Sequence, residues 1–378
     1  MHVLIPAVSR FTQLTGICRH AINHAKAVCD LPEMRATLLI GAWQEAYFRA
    51  GLNSASVNLA VADCRNTSWS RNRWYSRTLP QLASRMHADL VHLGYPVPVR
   101  RSRFAMPIVA TVHDLYPYDQ PGNFGFPNVV FNRIFLRQCV READALACVS
   151  EFTRQRLMQY FPEVKQDGTI VISSYSELPK IVPEQPSALN NTRFLLTVGQ
   201  HRANKNIDLI IRAFELLARS ESIARDVQLV VAGANGPETS ALKSLVHRFA
   251  LEERVTFLDL LSDANLAWLY RSCELFIAAS SVEGFCLPLL EARELSPRIL
   301  CSDIAVFREV AGSSAEYFDL GAEALAAAIA NGLGSPPRGH GSRESRFTRV
   351  AATRAYAQFY SRLLGLCDYS TDKYIAAD

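Results

Sequence analysis

The sequence predicts an α/β protein built from two doubly wound parallel-sheet domains, and three observations carry that expectation. Short apolar runs alternate with helical patterns twice over along the 378 residues, as parallel strands covered by helices on both faces require. A polar, proline-rich stretch without periodicity, residues 173–180 followed by 183–187, stands between the two series. At 49% hydrophobic residues, a chain of this length can bury more than one core.

Each strand is expected where an apolar run is bounded by polar or turn residues. The first series falls at residues 2–6, 37–41, 57–61, 89–93, 108–112, 145–149 and 170–172. The second falls at 194–198, 228–232, 255–258, 275–279, 299–302 and 316–318. The domain plan is therefore an N-terminal domain over 1–176, a linker over 177–190 and a C-terminal domain over 191–346. Residues 332–345, with Pro336, Pro337 and several glycines, read as an exposed loop. A last helix over 347–366 carries Val350, Tyr356, Phe359, Tyr360 and Leu363 on roughly one face. Ligands of such sheets bind at the carboxyl ends of the strands.

Bulk properties narrow the class. No apolar run reaches the roughly 18 to 20 residues of a membrane span, and the N-terminal apolar run reads as a first strand, too short for a signal peptide. A cytosolic protein is expected. The nine cysteines show no Cys-x-x-Cys and no paired Cys/His spacing, so neither a disulfide framework nor a zinc site is suggested. Cys18, Cys139, Cys148, Cys273 and Cys301 lie in apolar stretches and read as small core residues. Net charge is +4, distributed as +7 over residues 1–180 and −3 over 181–378. Such a bias serves solubility, or turns the N-terminal half toward an anionic partner.

The richest segment is 280–292, Ser-Ser-Val-Glu-Gly-Phe-Cys-Leu-Pro-Leu-Leu-Glu-Ala. It follows a buried-strand run and places Pro288 in the first turn of a helix, so it reads as strand, glycine loop, helix. A helix start of this kind suits a diphosphate. Glu283 lies on the loop beside it and Glu291 one turn inside. Two Glu at this spacing recur by chance in many helices, but Glu-Gly-Phe-x-x-Pro-x-x-Glu-Ala resembles the donor-site motif of retaining glycosyltransferases of family 4. Thr111–Leu115, Cys148–Thr153, Val198-Gly199 with Lys205-Asn206, Val230–Gly233 and Ser302–Ile304 leading to Arg308-Glu309-Val310 resemble that family in the same order, along nearly the whole chain.

The resemblance implies the GT-B fold, two Rossmann-like domains facing each other across a cleft. The N-terminal domain would bind acceptor and the C-terminal domain the nucleotide sugar, with helix 347–366 crossing back. It implies that Lys205 and Arg202 neutralise the departing diphosphate, although many relatives have Arg where this chain has Gln200. Glu283 would lie at the donor sugar and Glu291 at the ribose, with a carboxylate suited to a vicinal diol. Gly284, Phe285, Cys286 and Leu287 would bring backbone amides to the donor, Cys286 standing where Gly is common. Gly199 and Gly16 would allow close backbone approach to the donor, and His113 would contact a donor-sugar hydroxyl. Asp114 reads as a turn or cap residue.

No Asp-x-Asp follows a strand, and Asp259 and Asp263 have the wrong spacing for one; no metal or other cofactor is expected. Arg71, Arg73, Trp74, Arg100, Arg101 and Arg103 mix cations with an aromatic. They suit an anionic membrane surface or a lipid-diphosphate acceptor, or else a solvated face, and no nucleic-acid motif accompanies them.

The expected activity is retaining, metal-independent transfer of a hexose to a hydroxyl of a glycan or lipid-linked acceptor in surface polysaccharide synthesis. Mannose from GDP-mannose leads and UDP-sugars stay open. The enzyme would sit on the inner face of the plasma membrane. The alternatives are another GT-B enzyme, an epimerase or phosphorylase, or a sugar-nucleotide-binding protein without turnover, which Gln200, Cys286 and the irregular residues 293–297 make conceivable.

Overall fold

The computed structural model describes residues 1–52, 56–123, 125–189, 193–259, 261–337 and 345–366. The chain forms two compact units, one from Met1–Tyr175 with the C-terminal helix, the other from Ser176–Arg343.

The first unit holds seven strands: β1 (His2–Pro6), β2 (Arg35–Gly41), β3 (Asn58–Ala62), β4 (Leu90–Leu93), β5 (Ile108–Val112), β6 (Ala145–Cys148) and β7 (Thr169–Val171). Their order is β3-β2-β1-β4-β5-β6-β7, with every pairing parallel. The second unit holds β8 (Arg193–Val198), β9 (Val227–Ala232), β10 (Val255–Leu258), β11 (Leu275–Ala278), β12 (Ile299–Ser302) and β13 (Glu316–Phe318). Their order is β10-β9-β8-β11-β12-β13, again all parallel. Each expected strand is present, its ends within two residues. The shifts come from partners: β2 starts at Arg35 because that polar residue pairs in register with His2.

Helices cover both faces of each sheet, and the helix Arg349–Leu364 buries Tyr356, Phe359 and Tyr360 in the first unit. The order reverses between β1 and β4 in one sheet and between β8 and β11 in the other, which makes the carboxyl ends of these four strands the natural ligand positions.

Four expectations need correction. Trp74 is not an interfacial aromatic: a five-residue π turn, Trp74–Thr78, interrupts the helical run and rotates Trp74 and Tyr75 together into the core, leaving 2% and 1% of their surfaces exposed. Trp69 is the exposed ring, 73% accessible, with the Arg73 guanidinium 5.6 Å from its centroid. Arg101 is a strut, its Nε donating to Asp144 Oδ1 at 2.7 Å and its Nη1 to Phe104 O at 2.7 Å. Residues 176–189 are packed into the second unit rather than strung between the two. Ser176, Leu178 and Leu189 are buried there, because two apolar side chains amid the prolines suffice to anchor a segment that has no periodicity. Residues 293–295 continue the helix Leu287–Leu295 regularly.

Candidate active site

Loops 199–206 and 279–286 leave the carboxyl ends of β8 and β11, the two strands that flank the order reversal of the second sheet. Main-chain and amide bonds sew them together. Ser281 N donates to Asn204 O at 2.9 Å, Asn204 Nδ2 to Val282 O at 3.2 Å and Asn206 Nδ2 to Ala279 O at 2.8 Å. Asn206 takes the left-handed conformation, φ +48°, which Asn tolerates better than most residues. The third loop of the group is as tight: a Cβ at Gly233, φ +142°, would lie 2.2 Å from Gly199 O, so only glycine fits there.

This stitching delivers Lys205 to Glu283, Nζ to Oε1 at 2.5 Å, with the two side chains 18% and 7% exposed. Burial works to lower the Lys205 pKa, but the Glu283 carboxylate overrides it and holds the ammonium above its ordinary range. Ser280 Oγ donates to the same Glu283 oxygen at 2.7 Å, and Ser302 Oγ fixes Ser280 by donating to its carbonyl. Arg202 stands in the same loop, its charge opposing that of Lys205. Its Nε donates to Gln200 Oε1 at 2.8 Å and Gln200 Nε2 donates to Asn235 O at 3.3 Å, so Gln200 carries Arg202. The Lys205 side chain lies over Gly199, 3.4 Å from where a Cβ would be.

Gly284 and Phe285 are buried in the turn that leads to the helix Leu287–Leu295, with Pro288 in its first turn. Glu291 is buried, and its two oxygens accept from Tyr270 OH at 3.0 Å and Ser176 Oγ at 3.3 Å. A buried cation beside a helix start can hold a diphosphate, and carboxylates fixed by hydroxyls keep lone pairs for a sugar or ribose diol.

Cys286 caps that helix at φ +78°, ψ +78°. Burial pushes its thiol up to about 12, so it is no nucleophile at neutral pH. Its backbone strain has a measurable consequence. In urea unfolding the Cys286→Gly protein should be about 1 kcal/mol more stable than Cys286→Ala, since alanine keeps the unfavourable Cβ and glycine removes it. An alanine variant as stable as the glycine one would exclude the left-handed turn.

In the first unit, His113 follows β5 and its Nε2 lies 2.8 Å from Gly94 O, just past β4. A carbonyl only accepts, so Nε2 carries the proton and Nδ1 of the neutral ring is an acceptor. Burial pushes the His113 pKa down to about 4, keeping the ring neutral. His20 meets it edge-on, ring centroids 4.7 Å apart. Asp114 Oδ1 accepts from Tyr116 N at 3.0 Å, a local turn. Gly16 opens the helix Gly16–Cys29 with Thr15 as its cap. Behind His113 runs a buried chain: His24 Nε2 and His92 Nδ1 each lie 2.6 Å from Tyr360 OH, and His92 Nε2 lies 2.9 Å from Thr111 Oγ1.

Two family sequence models match, "Glycosyl transferases group 1" over residues 181–343 and "Glycosyltransferase Family 4" over 38–173. The chain belongs to glycosyltransferase family 4. Among curated relatives, this family 4 chain is 25% identical over 286 residues to O-antigen chain mannosyltransferase B of Escherichia coli, spanning 73% of this chain and 71% of that protein. It is 24% identical over 308 residues to O-antigen chain mannosyltransferase RfbU of Salmonella typhimurium strain LT2, spanning 80% and 82%. The crystal structure of Anabaena HepE in complex with UDP and glucose superposes with a TM-score of 0.67 at 17% identity, over 99% of this chain and 97% of that one. The fold is GT-B and the activity class is glycosyl transfer.

Sequence reasoning missed Ser176, Asn204, Tyr270, Ser280 and His20. Ser280 was legible in principle, three residues ahead of Glu283 and able to reach back to it; Tyr270 and Ser176 carry no local signal, because only folding brings them to Glu291. Among the described residues no group of three or more His, Cys, Asp or Glu side chains could hold a metal ion, and no helix is long and apolar enough to cross a membrane.

Proposed function

We propose that this chain is a retaining, metal-independent hexosyltransferase. It moves a hexose, with mannose from GDP-mannose as the first choice, to a hydroxyl of a glycan or lipid-linked acceptor during surface polysaccharide synthesis, on the inner face of the plasma membrane. The observation that carries the reading is the buried Lys205–Glu283 pair at the β8/β11 order reversal, beside the start of the helix Leu287–Leu295. On donor binding Lys205 exchanges part of its interaction with Glu283 for the diphosphate, Arg202 adds charge, and Glu283 turns toward the sugar. Glu291, already oriented by Tyr270 and Ser176, takes the ribose diol. Amides around Gly284–Leu287 receive the phosphate. His113 Nδ1 accepts from a donor-sugar hydroxyl, and Gly16 leaves room for the donor.

The O-antigen mannosyltransferases among the relatives favour mannose, while HepE holds UDP and glucose. A thermal-shift series with GDP, UDP and their sugars separates the two, because a ligand raises apparent stability by mass action. GDP and GDP-mannose should shift the melting temperature most, and donor turnover should persist in excess EDTA. A shift from UDP alone would reassign the donor. Turnover lost in EDTA and restored by magnesium or manganese would overturn the metal-free mechanism.

A further inference from the structure

Four of the nine exposed large hydrophobic residues among the described residues crowd into one short stretch: Phe126 (87% exposed), Val130, Phe131 and Ile134. They surround the start of the helix Asn128–Glu142, whose other face buries Leu136, Cys139 and Val140. Isolated exposed apolar side chains mean little, but a cluster marks a contact surface. Val130, Ile134, Arg137 and Arg141 fall at i, i+4, i+7 and i+11, a single stripe whose amino-terminal half is apolar and whose carboxyl-terminal half is basic. Arg133 flanks it, its Nε donating to Pro117 O at 2.7 Å and its guanidinium 5.1 Å from the Tyr118 centroid. The helix carries three arginines against one carboxylate, Glu142, which accepts from Arg101 N at 2.6 Å, and Arg141 Nε donates to Glu163 Oε1 at 3.1 Å; the half-chain around it has net +7.

We infer that the exposed face of the helix Asn128–Glu142 docks on an anionic lipid bilayer, with Phe126, Val130, Phe131 and Ile134 entering the acyl boundary and Arg133, Arg137 and Arg141 meeting lipid phosphates. A helix that lies in the interface combines apolar insertion with cations that reach the headgroups along their own aliphatic stems. Charge selects the partner: Arg141 is already paired with Glu163 at 3.1 Å, but an uncharged apolar surface of another protein would leave the excess positive charge of Arg133, Arg137 and Arg141 over Glu142 and Glu163 uncompensated, whereas an anionic leaflet satisfies both halves of the stripe. This places the membrane contact on a helix that the sequence did not single out, in place of Trp74, whose ring is buried. It deepens the membrane placement proposed above and is independent of which sugar is transferred.

Vesicle flotation of the full chain, without donor or acceptor, tests it. Wild type should float with mixed phosphatidylglycerol and phosphatidylcholine vesicles, float poorly with phosphatidylcholine alone, and dissociate as salt rises. Phe131→Ser combined with Ile134→Ser should lower partitioning at least about tenfold, with unchanged circular dichroism and thermal midpoint, because two apolar anchors are lost. Arg137→Gln should weaken binding to the anionic vesicles only. Retained binding in the Phe131/Ile134 double variant, or loss confined to Arg71→Ser with Arg73→Ser, would overturn the assignment. So would a concentration-dependent dimer that the double variant abolishes, since the occupant would then be a second copy. A failed donor assay beside intact flotation would strike the proposed reaction and leave this surface standing.

Discussion

Replacing Lys205 with methionine is expected to lower turnover on the order of 10²-fold or more, because a fixed cation in a water-poor site stabilises a departing diphosphate far better than solvent does. The same substitution should lower stability. It strands Glu283, 7% exposed, without the ammonium that sits 2.5 Å away, and breaking a buried pair by removing one partner costs roughly 3–5 kcal/mol. The two effects separate in the double variant. Lys205→Met with Glu283→Gln removes the stranded charge and should recover most of the stability while staying inactive. A double variant that regained turnover along with stability would show that Lys205 only supports the fold. Arg202→Ala should be comparably slow if Arg202, carried by Gln200, shares the diphosphate; wild-type turnover would remove it from the site.

Acidification is expected to destabilise the first unit steeply, starting near neutral pH. Burial places His20 and His24 well below their ordinary 6.5, takes His92 to about 3, and takes His113 to about 4. The groups packed around them are one another, the Gly94 carbonyl, Ser174, Thr111, Tyr356 and Tyr360, none of them a carboxylate. Each folded pKa lies below the unfolded one, so the unfolded chain binds more protons at intermediate pH. The stabilisation is complete above about 6.5 and is lost as pH falls toward the folded values, at about 1.4 kcal/mol per pH unit for each histidine. Urea unfolding followed from pH 8 downward should therefore give a free energy that is flat at first and then falls below about 6.5. Replacing His24 with leucine should flatten that slope by one histidine's share. A free energy unchanged across this range would mean that these rings are hydrated.

Local pattern determined a great deal of this protein. Every strand could be read from residue type and spacing, since a strand buried on both faces must be a short apolar run. Lys205, Glu283 and Glu291 could be found because their loops carry a dense motif, each residue next to a glycine turn or helix start that can be recognised without the rest of the chain. What bound them together was not legible. The Lys205–Glu283 bond joins residues 78 apart in sequence, and it exists because β8 and β11 are neighbours in a sheet order that no local pattern encodes. The burial of Trp74 depended on a π turn that rotated one aromatic inward and left Trp69 outside, a choice made by the core it packs against. The histidine chain to Tyr360 required the helix Arg349–Leu364 to return to the first unit, bringing partners 268 and 336 residues apart within 2.6 Å. Short-range chemistry selects elements and marks reactive residues; distances, pairings and exposed faces follow from which surfaces the packed elements leave to one another, and only the tertiary structure decides those.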